Sequence, residues 1–361
     1  MNSAHELGAL LDALRGLRRD GRTDAALATL TRTRGSTFRR PGTRMLVFGD
    51  GRLVCELSGG CPQRDIIARA QEAIADGRPR IVRYNAESGL DVLMEMGCGG
   101  ELEVLVEPMS APHATDYAEA LAACLEARRS ALLATIFALD GEAVVPKRLL
   151  WCDGGLCHDD LDDPLLARAV LAATEVGGLS RAIAWRLPCA QGQADVLVEP
   201  IAPAHRLVVV GTSAVARALL PLAGALGWQS LLVDQDPQRL LELPSGQQAA
   251  SAGPAAIRDA VELDAHSSVV VMTHNLEQDM AYLAALAGAP LAYLGALGSR
   301  ERVGRMRADP RLAAARMHAP AGLDIGSETP EEIALAVAAE IMAVLNGRNG
   351  GPLHDNEGAI H

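Results

Sequence analysis

The sequence predicts an α/β protein in two parts. An N-terminal duplicated α/β domain spans residues 1–203, and a C-terminal doubly wound parallel sheet spans 204–347, followed by a flexible tail at 348–361. Three observations predict it. Hydrophobic residues are 49% of the chain but aromatics only 3%, so Ala, Leu, Val and Gly must build the interior, which favours helices packed on sheets. Segments of the first half recur in the same order. From residue 206 onward, buried strand patterns alternate with helical ones. A chain of 361 residues is too long for one small domain and suits two.

The N-terminal stretch carries Leu7, Leu10, Leu11, Leu14 and Leu17 at helical spacing, interrupted by charges, so it predicts an amphipathic helix rather than a signal peptide. Next comes the repeat. LATL (27–30) resembles LATI (133–136), RMLVFGDGRL (44–53) resembles RLLWCDGGL (148–156), and ELEVLVEPMSAPH (101–113) resembles QADVLVEPIAPAH (193–205). These pairs predict two related α/β units, about 20–108 and 130–200, each with a strand, a Gly-containing hairpin turn, a helix and a closing strand. Only the first copy carries GSTFRRPG, SGGC and GCGG. A shared scaffold with extra Gly, Cys and Arg in one copy places the functional site in that copy.

A proline-bearing joint, VEPIAPAH (198–205), ends this half. RLVVVGTSAVARALLPLAGALGWQSLLVDQDP (206–237) then predicts buried strand, tight turn, helix and second strand, ending at Asp234. SSVVVMTHN (267–275) and APLAYLGALGS (289–299) are further strands, and DMAYLAALAG (279–288) a helix. TPEEIALAVAAEIMAVLNG (329–347) is the clearest helix, with Thr329 as N-cap, Pro330 in the first turn and Gly347 past its end. This alternation is Rossmann-like. The dinucleotide frame is Gly211-Thr-Ser213-Ala-Val-Ala216, with Asp234 as the acid that follows. Ser213 stands where the second glycine would let the pyrophosphate approach, which argues against ordinary dinucleotide binding. The turn still offers helix N-terminal amides to an anion.

Net charge is −12 and no Lys/Arg-rich run occurs, so nucleic acid is not the expected partner. No run of about 18 uncharged apolar residues predicts a membrane span. Seven cysteines without an export signal point to a reducing cytoplasm rather than a disulfide framework.

In SGGCPQRDII the proline suits a first helical turn and places Cys61 at the N-cap, where the helix dipole favours thiolate. Gly59 and Gly60 form a potential anion-binding nest. Cys98 in GCGG has Gly97 and Gly99 on either side. Two Gly-framed thiols in one unit point to function for at least one. Cys55, Cys124, Cys152, Cys157 and Cys189 are expected to be structural. TRTRGSTFRRPGTRM (31–45) clusters Arg39, Arg40 and Arg44 with Arg32 and Arg34, a set suited to a phosphate or carboxylate, or to a solvated loop. CDGGLCHDD (152–160) matches no closed zinc spacing, and a hairpin turn explains it. His274 and Asp279, at a strand's C-terminal end, are candidates to line a site or to cap a helix.

Together GSTFRRPGTRMLV, LSGGC, GCGGELEVLVEP, VVVGTSAVARAL, VMTHNLEQDMAYLAAL, YLGALGSRERVGRMR and HAPAGLDIGSETPEEIALAVAAEIM, in order over residues 20–352, resemble the XdhC/CoxI family. These are accessory proteins of xanthine dehydrogenase and related molybdenum hydroxylases. The resemblance implies a chaperone that binds molybdenum cofactor (molybdopterin, or its cytosine dinucleotide form), assists exchange of an oxo for a sulfido ligand, and delivers the product to the apo-hydroxylase. It implies a cysteine desulfurase as sulfur partner, and a homodimer is compatible with the fold. Cys61 and Cys98 match the family cysteines and are candidate molybdenum ligands or sulfur relays. Gly59, Gly60, Gly97 and Gly99 match the flanking positions, and Arg39, Arg40 and Arg44 with the amide nests would hold the pterin phosphate. Gly211, Ser213 and Asp234 are the candidate contacts for a nucleotide at the second domain. Ser213 and Pro62-Gln63 depart from the family pattern. Two other readings stay open, a nicotinamide-dependent oxidoreductase using the C-terminal domain and a non-catalytic protein-binding adaptor.

Overall fold

A computed structural model describes the chain except residues 1, 36, 58–60, 86–99, 162, 178, 242, 244–245, 314 and 356–361. The predicted glycines 59, 60, 97 and 99, together with Cys98 and the end of the tail, lie outside the described residues. The chain forms two compact units, Met1–Pro203 and Ala204–His361.

The first unit runs α1 (Ala4–Arg19), β1 (Ala25–Arg34), β2 (Arg44–Phe48), β3 (Leu53–Val54), α2 (Cys61–Asp76), β4 (Arg80–Tyr84) and β5 (Glu101–Pro108). It continues with α3 (Asp116–Glu126), β6 (Ala131–Leu139), β7 (Glu142–Cys152), β8 (Gly155–Asp159), α4 (Pro164–Gly177), β9 (Ile183–Cys189) and β10 (Gly192–Ile201). Among the described residues there are two five-stranded sheets, ordered β3-β2-β1-β5-β4 and β8-β7-β6-β10-β9. The second order is the first repeated element for element. The central strand of each copy also bulges at an equivalent place, between Leu30 and Arg32 and between Ile136 and Ala138.

Period-two alternation decides which face each strand buries. Ala26, Ala28 and Leu30 of β1 meet Ile66, Ala70 and Ala73 of α2, while Ala25 and Leu27 face the opposite layer. In the second copy Ala134 and Ile136 meet Leu166 and Val170 of α4, and Ala131 and Leu133 face that same opposite layer. The shared layer is α1 and α3. α1 offers Leu10, Leu11, Leu14 and Leu17 on one stripe, and its capping box from Ser3 and Glu6 fixes where it starts. One helix layer thus buries a face of both sheets.

The second unit runs β11 (Arg206–Val210), α5 (Ala214–Ala225), β12 (Gln229–Asp234), α6 (Pro237–Leu240), β13 (Gln248–Ser251), α7 (Ile257–Ala260), β14 (Ser267–Val271), α8 (Leu276–Leu286), β15 (Tyr293–Ala296), α9 (Arg300–Ala308) and α10 (Pro330–Leu345). Its strands pair in parallel in the order β13-β12-β11-β14-β15, with apolar clusters on both faces. Val-rich runs such as Val208–Val210 and Val269–Val271 are what a doubly covered parallel sheet needs. The strand order reverses direction beside β11, the topological switch point of a doubly wound sheet. α10 is capped by Thr329 and Glu332 with Pro330 in its first turn, and Gly347 at φ +63° follows. The short edge strand β13 and the helices α6, α7 and α9 are additions to the elements expected from sequence.

Candidate functional site

The described ends of the segments that carry Cys61 and Cys98 converge on one end of the first sheet. Arg34, the last residue of β1, pairs with Glu101 of β5, and Tyr84, the last of β4, pairs with Leu102. Asn85, after β4, and Gly100, before β5, lie at this same end. α2 starts here as well. The Tyr84 hydroxyl donates to Asp65 Oδ2 at 2.8 Å, which ties the first turn of α2 to β4, while Gln71, further along, reaches Phe48 at the sheet's other end. Cys61 is the first helical residue rather than the cap, and Pro62 follows it in the first turn. The loop from Gly35 to Thr43 leaves from the same end.

The loop arginines divide. Arg39 is half-buried and makes a two-pronged ion pair with Glu6, at 2.7 and 3.1 Å. Burial works against the Glu6 carboxylate, but Arg39 and the capping amide of Ser3 hold its pKa below the ordinary value. Arg39 is thereby fastened to α1. Arg40 lies in the loop, where its carbonyl accepts from Thr43 Oγ1. Arg44 sits elsewhere: it is 4% exposed, with its guanidinium on Glu199 of the second copy. That inter-copy contact accounts for Arg44, and we assign it to holding the copies together. Cys55, six residues before Cys61, donates to Glu6 O at 3.2 Å, and burial followed by the Glu6 charge pushes its thiol up to about 11. It is therefore a neutral thiol at neutral pH.

Sequence reasoning missed the charges inside this unit. Arg44 of the first copy pairs with Glu199 of the second, and Arg148 of the second pairs with Glu107 of the first. The two bonds exchange partners between equivalent positions. Arg148 also lies 4.3 Å over the Tyr117 ring. Burial alone would favour loss of both arginine charges, but Glu199 and Glu107 more than restore them. A second set has the same symmetry: Arg83 donates to Glu103 and Arg186 to Asp195. Arg32 belongs to one copy only and bridges both carboxylates, at 2.6 and 2.8 Å. The signal was available in the repeat. VLVEP and its flanking acid recur in both copies, placing Glu103, Glu107, Asp195 and Glu199 inside otherwise buried strands.

The second unit holds a cavity of about 1070 Å³. It opens at the C-terminal ends of β11 and β14 and is lined by Thr212, Ser213, Ala214, Arg217, Thr273, His274, Arg239 and Glu331, with apolar side chains of α5 and α10 behind them. Gly211 is required at the turn: its φ is +104°, and a Cβ there would lie 2.7 Å from Met272 O. Ser213 caps α5, its Oγ accepting from Ala216 N at 3.1 Å. The hydroxyl consumes one of the amides that a phosphate would use. Asp234 is buried beside the cavity rather than on its wall. It accepts from Thr212 Oγ1 at 3.4 Å and Asp236 N at 2.9 Å, with Arg239 3.8 Å away. His274 lines the cavity with φ +64°. Asp279 does not line it. It is fully buried, accepting from Thr273 Oγ1 and Arg302 Nη2, each at 2.6 Å. Among the described residues no group of three or more His, Cys, Asp or Glu is arranged to hold a metal ion, and no helix is long and apolar enough to cross a membrane.

The XdhC Rossmann domain matches residues 207–341, and the XdhC and CoxI family matches residues 18–85. The chain belongs to the XdhC and CoxI family. A Bacillus subtilis relative, described as a probable subunit of xanthine dehydrogenase, is 26% identical over 92% of this chain and 96% of its own length. The molybdenum cofactor insertion chaperone PaoD of Escherichia coli is 27% identical over 89% of this chain and 83% of its own. A solved Bacillus halodurans structure described as a xanthine dehydrogenase shares the fold, with TM-score 0.77 and 23% identity over 95% of this chain and 96% of that one. In XdhC terms, the family match at 18–85 covers the loop arginines and Cys61, and the Rossmann match covers the cavity.

Proposed function

We propose that the protein is an XdhC-type accessory protein that carries molybdenum cofactor as cargo to a molybdenum hydroxylase. The observation that carries this reading is the likeness, over 89% of the chain, to a relative described as a molybdenum cofactor insertion chaperone. The geometry supports it. Cys61 opens α2, at the end of the first sheet where β4 finishes and β5 begins. Helix N-terminal amides stabilise a thiolate and an anion, and thiolate sulfur suits a soft metal centre. Cys61 and Cys98 are the proposed contacts to the metal or to transferred sulfur. Gly59, Gly60, Gly97 and Gly99 let a bulky pterin approach, and Arg39 and Arg40 are the proposed phosphate contacts.

The finer parts belong to the same proposal. The cargo is molybdopterin or its cytosine dinucleotide, a cysteine desulfurase supplies sulfur for the sulfido ligand, and the partner is an apo-hydroxylase in the cytoplasm. The second unit's cavity takes the nucleotide or another anionic part, through Thr212, Arg217 and the start of α5 beyond Ser213. A homodimer is part of the same proposal. Reconstitution tests it. Cofactor-loaded protein mixed with an apo molybdenum hydroxylase is expected to restore activity faster than the same amount of free cofactor. Equal rates with and without the protein would overturn the delivery role.

A further inference from the structure

Three thiols meet at a hairpin of the second copy, outside the site proposed above. Cys152 ends β7 and stands opposite Gly155, the first residue of β8. Cys157 follows two residues later, at the bulge between the Trp151–Leu156 and Leu150–His158 pairs, and its Sγ lies 3.5 Å from Gly155 O. Cys124 comes from α3. Its Sγ lies 3.8 Å from Ser130 O, the carbonyl that also accepts from Asp153 N at the turn. Gly155 stands opposite Cys152 and Cys157 lies two residues beyond it on β8, so the hairpin register sets Cys157 one step from Cys152 across the turn. Burial, then Cys124, then Cys157 push the Cys152 thiol above its ordinary pKa. Cys124 and Cys152 are buried, and Cys157 is exposed.

We propose that Cys157 and Cys152 form an oxidisable dithiol, in which a small peroxide attacks at Cys157 and Cys152 closes the product as a reversible disulfide. The division of labour follows from exposure. Cys157 is the thiol that solvent reaches, and Cys152 is buried at the same hairpin, shielded from oxidant. Cys157 sulfur attacks one peroxide oxygen, the O–O bond breaks, and hydroxide leaves and is protonated to water. The product is Cys157 sulfenic acid. Cys152 sulfur then attacks the sulfenic sulfur. The S–S bond forms as the S–O bond breaks, and the Cys152 proton leaves with the hydroxyl as water. Two thiols and one hydrogen peroxide give one disulfide and two waters. A reducing thiol reverses the step.

Trypsin releases both cysteines in one peptide, residues 149–168, separate from Cys61, Cys98 and Cys124. The full-length reduced protein is treated with hydrogen peroxide over a range of ratios, blocked with a maleimide and digested. The peptide is expected to lose two hydrogens, to escape maleimide, and to regain both thiols after reduction. In Cys157→Ser, an exposed and conservative change, Cys152 is expected to stay unoxidised at the same doses. In Cys152→Ser, Cys157 is expected to pass on to sulfinic acid. The proposal is overturned if Cys157 over-oxidises in the wild type while Cys152 stays free, if Cys152 links to Cys124 instead, or if peptide 149–168 stays reduced throughout.

Discussion

Truncating Glu199 to alanine is the sharpest test of how the two copies are held together. Glu199 is 1% exposed and receives both terminal nitrogens of Arg44, itself 4% exposed. Arg44 Nη1 retains one weaker acceptor, Gly42 O at 3.2 Å. Glu199→Ala therefore leaves a buried guanidinium with its counter-charge gone, a loss of about 3–5 kcal/mol. A domain the size of the first unit moves by roughly 2–4 °C per kcal/mol, so its melting point should fall by about 6–20 °C. Replacing the arginine too, as in Arg44→Met with Glu199→Ala, removes the stranded charge and should recover much of that loss. Glu107→Ala should cost a similar amount through Arg148. The combined loss should not be additive, because the charges of both arginines act on the buried Tyr117 between the same two ion pairs. Calorimetry of the full chain measures all of these. A loss below about 1 kcal/mol for Glu199→Ala, or a double variant no more stable than the single, would refute the view that these pairs bind the copies through a buried charge.

Other consequences are checked more simply. Burial pushes Asp195 up, but Arg186 and Arg32 outweigh it and hold it below its ordinary value. A depressed carboxylate stabilises above the unfolded value of about 4 and loses that contribution as pH falls through its native value. Arg32→Ala should cost roughly 1.5–3 kcal/mol at neutral pH, with a deficit that shrinks as urea titrations move below about pH 4. A deficit independent of pH would contradict the ion-pair account. Gly211→Ala places a Cβ 2.7 Å from Met272 O at φ +104°, and denaturant titration should register at least about 1–3 kcal/mol of strain. Ser213→Gly keeps a tolerated cap residue and should cost only a few tenths of a kcal/mol. Calorimetric titration with NAD(H) should find no sub-millimolar binding to the wild type, and such binding with turnover would favour an oxidoreductase.

Patterns with a period or a repeat were legible in the sequence, and contacts across space were not. The Val-rich runs 208–210 and 269–271 announced a covered parallel sheet, and Thr329, Pro330 and Gly347 announced the two ends of α10, to which the structure adds the Glu332 half of a capping box. The repeated VLVEP segments predicted related copies, and the two matching strand orders are what the structure has. A linear motif does not say which way a side chain faces. Arg39, Arg40 and Arg44 read as one cationic loop, yet Arg44 is the first residue of β2 and faces the interior. Asp279 looked like a site residue beside His274, but as a helix residue it faces Thr273 and Arg302 instead. The cluster of Cys124, Cys152 and Cys157 was hidden because one thiol comes from a helix and two from a hairpin.

Cofactor loading tests the central claim most directly. The wild-type protein and Cys61→Ala are purified from a host that makes molybdenum cofactor, and each is assayed for molybdenum and for the oxidised fluorescent pterin. The account predicts pterin and molybdenum on the wild type, and loss of both in an equally folded Cys61→Ala. A wild type without pterin under loading conditions, or a variant that retains it in full, would contradict the account.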